Sequence, residues 1–213
     1  SKDQSYVLWG VTQECLKRTI FPMGKFHKKD IKQMAIDRGY VQLAQKSESY
    51  EICFIPDNDY RGFLKRRVKG LEEKVRGGDF VSIDGQVVGK HDGYPFYTIG
   101  QRKLGVSLGS EPTYVVGIKE KENIVVVGTK EDLKKQEMFV KNINYVKYSK
   151  IEDGTQLLAK VRYKHSGEMA TIYNEEGNLK VLFHNKVHGI APGQSAAFYD
   201  GEDLVAGGFI MKN

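Results

Sequence analysis

The sequence predicts an α+β protein: a mainly helical N-terminal part followed by two small antiparallel β domains, the last of them a β-barrel. Two observations support this prediction. Before about residue 70 the apolar residues recur at helical spacing, and after Gly77 they form short runs separated by turn residues. With 213 residues in all, we expect a helical part over 1–70, a central β domain over 71–130 and a barrel over 131–213.

Three helices are predicted in the first part. The first lies in the segment TQECLKRTI and stops at Phe21-Pro22, because proline lacks the amide hydrogen that a helix needs. The second ends at Gly39, which can adopt the left-handed conformation that closes a helix. The third is expected to begin at an Asp57 N-cap. The apolar run ICFI before it is typical of a buried strand or the end of one.

Four β-hairpins are predicted after Gly77. The first turns at Asp84-Gly85, where the glycine supplies the positive φ of a tight turn. The others are listed by their turns: Lys119 to Asn123, Glu176-Gly177 and Asp200-Gly201. A polar segment near 128–140 interrupts the strand pattern and is expected to separate the two β domains. In VRYKH, alternation along a presumed strand would place Arg162 and Lys164 on one face and Tyr163 on the other.

Composition limits the function classes. The chain has 33 basic and 27 acidic side chains, and residues 1–76 contain 16 of the basic and 10 of the acidic ones. A region with this surplus attracts a polyanion such as RNA, although a solvated lysine-rich helix face explains it equally. No apolar run approaches the ~20 residues of a membrane span, and no signal pattern opens the chain, so we expect a cytoplasmic protein without a membrane partner.

The two cysteines, Cys15 and Cys53, exclude a disulfide-rich scaffold and a zinc site built from C-x-x-C pairs. Cys53 is the sharper candidate for chemistry, because it precedes a basic segment and a thiol near cations ionises more readily to the reactive thiolate. The alternative is a small buried hydrophobe. Cys15 falls in a helical pattern, and a disulfide between the two remains open. His184 and His188 are four residues apart but not on a predicted helix, so no metal site is expected.

A second candidate is the segment HDGYPFYTIGQRKLG. Its glycines permit tight turns, and Arg102 and Lys103 beside Tyr94 and Tyr97 could hold a phosphate while a ring stacks on a base. A glycine-rich turn between strands accounts for the glycines equally well.

Several motifs in order carry a resemblance over essentially the whole chain: KDQSY, TIFPMG, ICFI, GKHDGYPFYTIGQRK, VRYKH and PGQSAAFYDGEDLVAGG. Together they resemble the tRNA-specific 2-thiouridylase family, whose enzymes place sulfur on the wobble uridine of tRNA. The resemblance implies that this chain is the C-terminal portion, with 1–70 a remnant of the catalytic domain. The ATP-pyrophosphatase domain with its Ser-Gly-Gly-x-Asp-Ser loop, which would bind ATP with Mg²⁺, is absent from this sequence.

The resemblance also implies roles for individual residues. Cys53 would accept sulfur as a persulfide from a relay donor protein and deliver it to the activated base, or pair after the transfer with a second cysteine that this sequence lacks. Six residues would contact tRNA: Lys2, Asp3, Gln4, Arg162, Tyr163 and Gln194. The isolated chain is expected to be inactive. Two other functions remain open: a non-catalytic RNA-binding module with an inert cysteine, and a translation-factor-like barrel acting through protein contacts.

Overall fold

The computed structural model describes residues 4–46, 54, 55, 57 and 59–212. These form two compact units, one from Glu14 to Lys69 and the other from the residues up to Gln13 together with those from Gly70 onward. The predicted fold class is confirmed: a helical part, a small sheet and a closed barrel follow one another along the chain.

The helical unit contains short helices with few buried side chains. Its described helices are α1 Gln13–Arg18, α2 Lys28–Asp37, α3 Val41–Gln45 and α4 Tyr60–Arg67. The first helix ends at Arg18, before the predicted stop at Phe21-Pro22, and a turn begins at Pro22. The second ends as predicted, with Gly39 at a φ of 84°.

The prediction that Asp57 caps the third predicted helix is wrong. The N-cap is Asp59, whose carboxylate accepts a hydrogen bond of 2.9 Å from the Gly62 amide. Asp57 accepts from the Asp59 amide and pairs with Arg66 at 3.3 Å, so it supports the cap from outside. Of the ICFI run, Ile52 and Cys53 lie outside the described residues; Phe54 is an exposed turn residue and Ile55 is buried.

The central sheet follows α5, Leu71–Val75. Its strands are β1 Gly78–Ser82, β2 Val87–His91, β3 Tyr114–Lys119 and β4 Ile124–Gly128. The two predicted hairpins are confirmed, but the sheet is mixed rather than antiparallel. Its order is β2-β1-β4-β3, and β1 pairs with β4 in parallel. The long excursion between β2 and β3 makes this parallel pairing possible, since parallel neighbours need a crossover.

The last six strands close into an antiparallel barrel. They are β5 Lys134–Tyr145, β6 Thr155–Lys160, β7 Glu168–Glu175, β8 Asn178–His188, β9 Ser195–Asp200 and β10 Asp203–Ile210. Their order is β10-β5-β8-β7-β6-β9, and β10 pairs with β9 to close the ring. Both predicted hairpins are present. The polar segment predicted as a break is shorter than 128–140, because β5 already begins at Lys134. Alternation along β5 buries Met138 and Val140, while Glu137 and Phe139 beside them are only partly buried.

The first described residues pack on the barrel. The 3-10 helix Ser5–Gly10 places Trp9 edge-on to Phe209, with ring centroids 5.0 Å apart, over Gly207, where a side chain would collide with the indole. The Tyr6 hydroxyl donates a 2.6 Å hydrogen bond to the Ser195 carbonyl. This segment therefore belongs structurally with the barrel unit.

Candidate nucleic-acid interface

The VRYKH segment is a turn that leaves the barrel, not a strand, so the predicted alternation of Arg162, Tyr163 and Lys164 is wrong. The strand β6 ends at Lys160, and the next residue, Val161, is fully buried in the barrel core. The His165 amide donates to the Arg162 carbonyl at 3.0 Å and closes the turn. The turn exposes the side chains of Arg162 and Tyr163 to solvent.

Arg162 lies against the end of β8. Its Nη2 is 3.3 Å from Nε2 of His188. Because a guanidinium has only donors, it is the histidine nitrogen that accepts in this pair. Gly189, with a φ of 78°, makes the approach possible, since a Cβ there would stand 2.9 Å from Nη1 of Arg162. Among the residues that the structure describes, no carboxylate forms an ion pair with Arg162.

Further cations surround this pair. Burial lowers the pKa of His188 below its ordinary value, and the positive charges of Arg162, Lys130 and Lys134 lower it further. Lys134 is the cross-strand partner of His188 between β5 and β8 and also pairs with Glu131 at 2.9 Å. We call these four residues, Arg162, His188, Lys130 and Lys134, the cation cluster. A cluster with this excess of positive charge is suited to an anion such as a phosphate.

His165 lies on the inner side of the same turn. Burial lowers its pKa, as do the charges of Arg162 and His188. Its Nδ1 is buried without a hydrogen-bond partner in the described structure. The turn thus presents its arginine to solvent and keeps its histidine neutral behind it.

Tyr163 extends the same surface toward the N-terminal segment. It is 37% exposed, and its ring meets that of Tyr6 edge-on at a centroid distance of 6.5 Å. Burial raises the pKa of Tyr6 to about 12, against the lowering effect of its hydrogen bond to Ser195, so this phenol remains a donor at neutral pH. An aromatic ring next to an arginine is a common arrangement for stacking on RNA bases.

Gln194 lies elsewhere on the barrel, in the loop between β8 and β9. Its backbone amide donates to the Ala191 carbonyl at 3.2 Å, and its backbone carbonyl accepts from the Ile210 amide at 2.8 Å. The side chain is exposed and faces a cleft shared with the central sheet. The predicted tRNA contacts of the barrel thus lie on two segments, the turn at Arg162 and Tyr163 and the loop at Gln194.

Of the other predicted site residues, the structure describes Gln4. Gln4 precedes the 3-10 helix and its carbonyl accepts from the Val7 amide at 3.3 Å. Lys2, Asp3 and Cys53 lie outside the described residues. Cys15 is exposed.

The HDGYPFYTIGQRK motif folds as a structured crossover. His91 ends β2, is 5% exposed, and accepts a 3.0 Å hydrogen bond from the Gly93 amide through Nδ1. Phe96 is buried, and Tyr97 lies edge-on to Phe80 at 5.2 Å. Arg102 lies 5.9 Å from the centre of the Tyr114 ring. The motif thus serves first to pack the central sheet.

Sequence reasoning missed three members of the cation cluster: His188, Lys130 and Lys134. His188 was weighed only as a metal ligand with His184, which instead bonds Thr171 at 3.1 Å. In the ranges 4–46 and 59–212 no group of potential metal ligands is found. The described residues therefore do not fit a metal, and no phosphate loop for ATP occurs in the sequence. No helix described here is long and apolar enough to cross a membrane.

Three family profiles match consecutive parts of the chain. Residues 1–57 match the tRNA methyl transferase HUP domain, residues 61–129 the tRNA methyl transferase PRC-barrel domain, and residues 135–210 the aminomethyltransferase beta-barrel domain.

Curated relatives match over the entire chain. The tRNA-specific 2-thiouridylase MnmA of Cytophaga hutchinsonii is 55% identical and that of Amoebophilus asiaticus 54% identical, each over 100% of this chain. The enzyme of Salinibacter ruber is 49% identical over the same extent. The chain spans 58%, 57% and 56% of the length of these three relatives. With three profiles in sequence and this level of identity throughout, the chain belongs to the tRNA 2-thiouridylase family.

Proposed function

We propose that this chain is the tRNA-holding part of an enzyme that thiolates position 2 of the wobble uridine, with Cys53 as the sulfur carrier. The relatives are named as tRNA-specific 2-thiouridylases, which supports the substrate and the reaction class. The observation that carries the RNA-binding half is the cation cluster, where Arg162 faces His188 instead of a carboxylate. A phosphate placed there would neutralise the charge of Arg162, which has no carboxylate partner among the described residues.

The sulfur-carrying half rests on Cys53. In the proposed loading step the Cys53 thiolate attacks the outer sulfur of a donor persulfide, a new S–S bond forms on Cys53, and the donor leaves as a thiolate. Activation of the base by ATP and Mg²⁺ is assigned to residues outside this chain, because the sequence contains no loop for it. We therefore also propose that the isolated chain does not complete the reaction, and that the whole enzyme works in the cytoplasm.

RNA binding is tested by titrating an unmodified tRNA transcript at several salt concentrations. The Arg162→Ala variant should bind more weakly and lower the slope of log affinity against log salt by about 1, as expected for one lost phosphate contact. Arg18→Ala is the matched control, since Arg18 is exposed and already paired with Glu14 at 2.5 Å. Equal affinities and slopes for wild type and Arg162→Ala would refute the assignment of the cluster to RNA.

Sulfur transfer is tested in two arms. With ATP, tRNA and a persulfide donor, the isolated chain should give no 2-thiouridine; product would show that the missing activity resides here. In the full-length enzyme Cys53→Ser should abolish persulfide loading and spare tRNA binding. Cys15→Ser is the control, because Cys15 is exposed and is not assigned to the transfer. Normal loading of Cys53→Ser would contradict the proposal.

A further inference from the structure

A cleft of about 480 Å³ lies between the central sheet and the barrel, both within the same compact unit. Small-molecule and cofactor sites typically occupy about 300–1,000 Å³. One wall comes from the segment Tyr94 to Ile99 and from β3, the other from residues 190–194, and Lys135 and Lys212 also line it. The HDGYPFYTIGQRK and PGQS motifs, far apart in sequence, thus meet at one cavity.

The wall from the central sheet is held in place before any ligand arrives. The Tyr94 amide donates to Oδ1 of Asn123 at 3.3 Å, and the side-chain amide of Asn123 donates to the Val75 carbonyl at 2.7 Å. Phe96 is 1% exposed and anchors the turn between the two tyrosines. Tyr94 and Tyr97 are only partly buried, and both line the cleft.

The barrel wall is equally fixed, but it leaves one polar group available. The Gly193 amide donates to the Ile210 carbonyl at 2.9 Å, and Gln194 uses both its backbone groups in the same loop. In the part of the chain that the structure describes, the side-chain amide of Gln194 makes no hydrogen bond. An amide carries a carbonyl acceptor and an NH₂ donor, and can therefore pair with the edge of a nucleobase.

The charge near the cleft favours an anionic ligand. Lys212 is paired with Glu120 at 2.9 Å, whereas Lys135 is exposed and has no carboxylate partner among the described residues. Lys135 is next to Lys134 on β5, and these two residues are paired in register with Val187 and His188 on β8. Lys135 of the cleft is therefore the immediate sequence neighbour of Lys134 of the cation cluster.

We propose that this cleft takes up one unstacked nucleotide of the RNA, with its base against Tyr94 or Tyr97, its edge on the Gln194 amide and its phosphate toward Lys135. The inference rests on the proposed RNA binding and adds a subsite to it. Single-stranded RNA is recognised mainly through bases that leave their stack and lie on aromatic side chains. The ring faces give affinity for any base, and the amide gives the preference among bases.

The test is a Thr98→Glu variant of the full chain. Thr98 is exposed and lines the cleft, and its side chain is not needed for the turn, in which its backbone amide donates to Oε1 of Gln101 at 3.1 Å. A carboxylate there repels a phosphate and occupies space that the base needs. Gln156→Glu is the control: it adds the same charge at an exposed position of β6 that lines neither the cleft nor the cation cluster.

We expect Thr98→Glu to weaken binding of an unmodified tRNA transcript about tenfold, the effect of losing roughly one base-stacking contact. The control should bind like wild type, and circular dichroism should show both variants folded. A transcript containing photoreactive 5-bromouridine should crosslink to the peptides that contain residues 94–98 or 190–194.

The outcomes separate this inference from the proposed function. Wild-type affinity for Thr98→Glu, or crosslinks confined to other peptides, would overturn the proposed nucleotide site in the cleft while leaving the proposed RNA binding in place. If Thr98→Glu is misfolded, the crosslinks of the wild-type protein decide alone. A wild-type chain that binds no tRNA would overturn both.

Discussion

The helical unit and the barrel differ in how many of their apolar side chains are buried. Of the described residues of the helical unit, only two hydrophobic ones, Ala44 and Ile55, are buried, while Ile20 is 83% and Leu43 68% exposed. The barrel closes around a continuous core that includes Val140, Phe183 and Phe198. A closed ring buries one face of every strand, whereas helices of five to ten residues bury little against one another. The barrel can thus hold a site by itself, whereas the helical unit leaves apolar side chains exposed.

The same two regions contrast in charge. The basic surplus of the sequence falls in its first 76 residues, yet there Arg18 pairs with Glu14, Arg66 with Asp57, and Arg67 lies over the Phe63 ring. Residues 129–213 have 12 basic and 11 acidic side chains, and it is here that Arg162 faces His188. Net charge along the sequence is therefore a poor guide to where a cationic side chain lacks a carboxylate partner, because local pairing decides this.

The largest expected effect tests the contrast in packing. Phe198→Ala, at a side chain that is 0% exposed, should lower the free energy of unfolding by about 3–5 kcal/mol, since it leaves a cavity in the barrel. Phe21→Ala, at 57% exposure in the helical unit, should change it by no more than about 0.5 kcal/mol. Urea denaturation is followed by tryptophan fluorescence for the barrel, on which Trp9 packs, and by circular dichroism at 222 nm for the helices. Equal losses would show that the helical unit has a core of its own.

A smaller effect concerns the helix cap in the helical unit. Asp59→Ala should destabilise α4 by about 1 kcal/mol, because the Gly62 amide loses its acceptor. Amide hydrogen exchange over residues 60–67 is the appropriate measurement, since the change is local. Asp57→Ala, which removes only an exposed ion pair and a contact to the Asp59 amide, serves as the comparison. Faster exchange in Asp57→Ala than in Asp59→Ala would restore Asp57 as the cap.

The smallest effect probes the cation cluster through pH. The folded-state pKa of His188 lies below its ordinary value of 6.5, first because of burial and then because of Arg162, Lys130 and Lys134. Such a group stabilises the fold above pH 6.5, and this contribution falls as the pH drops through the window between the two pKa values. Arg162→Ala should raise the pKa of His188 and shrink this loss. NMR titration of the histidine ring measures the change directly.

Lys180→Ala is the control for this titration, since Lys180 lies on β8 but is not among the charges acting on His188. Adding tRNA to the wild-type protein should also raise the pKa of His188, because a phosphate stabilises the imidazolium form. An unchanged pKa in both experiments would mean that Arg162 and the RNA do not reach this histidine.

Local signals in the sequence predicted much of the fold. Turn glycines such as Gly85 and Gly177 adopt positive φ and close the hairpins that they were expected to close. Errors arose where local patterns were ambiguous. Two aspartates, Asp57 and Asp59, precede α4 closely enough to be its N-cap. The apparent alternation of VRYKH belongs to a turn, because Val161, just after the end of β6, is the last residue before the turn to be buried in the barrel core.

The order of motifs along the chain was enough to identify the family, because each motif is a property of neighbouring residues. The mixed sheet, the pairing of Lys134 with His188 and the meeting of two motifs at one cleft were decided only by tertiary structure. Strand pairing brings together residues about 50 positions apart, such as Lys134 and His188, and no local pattern records which strands become neighbours. The sequence by itself determined the elements and their order, and the closure of the barrel decided which charges and rings face one another.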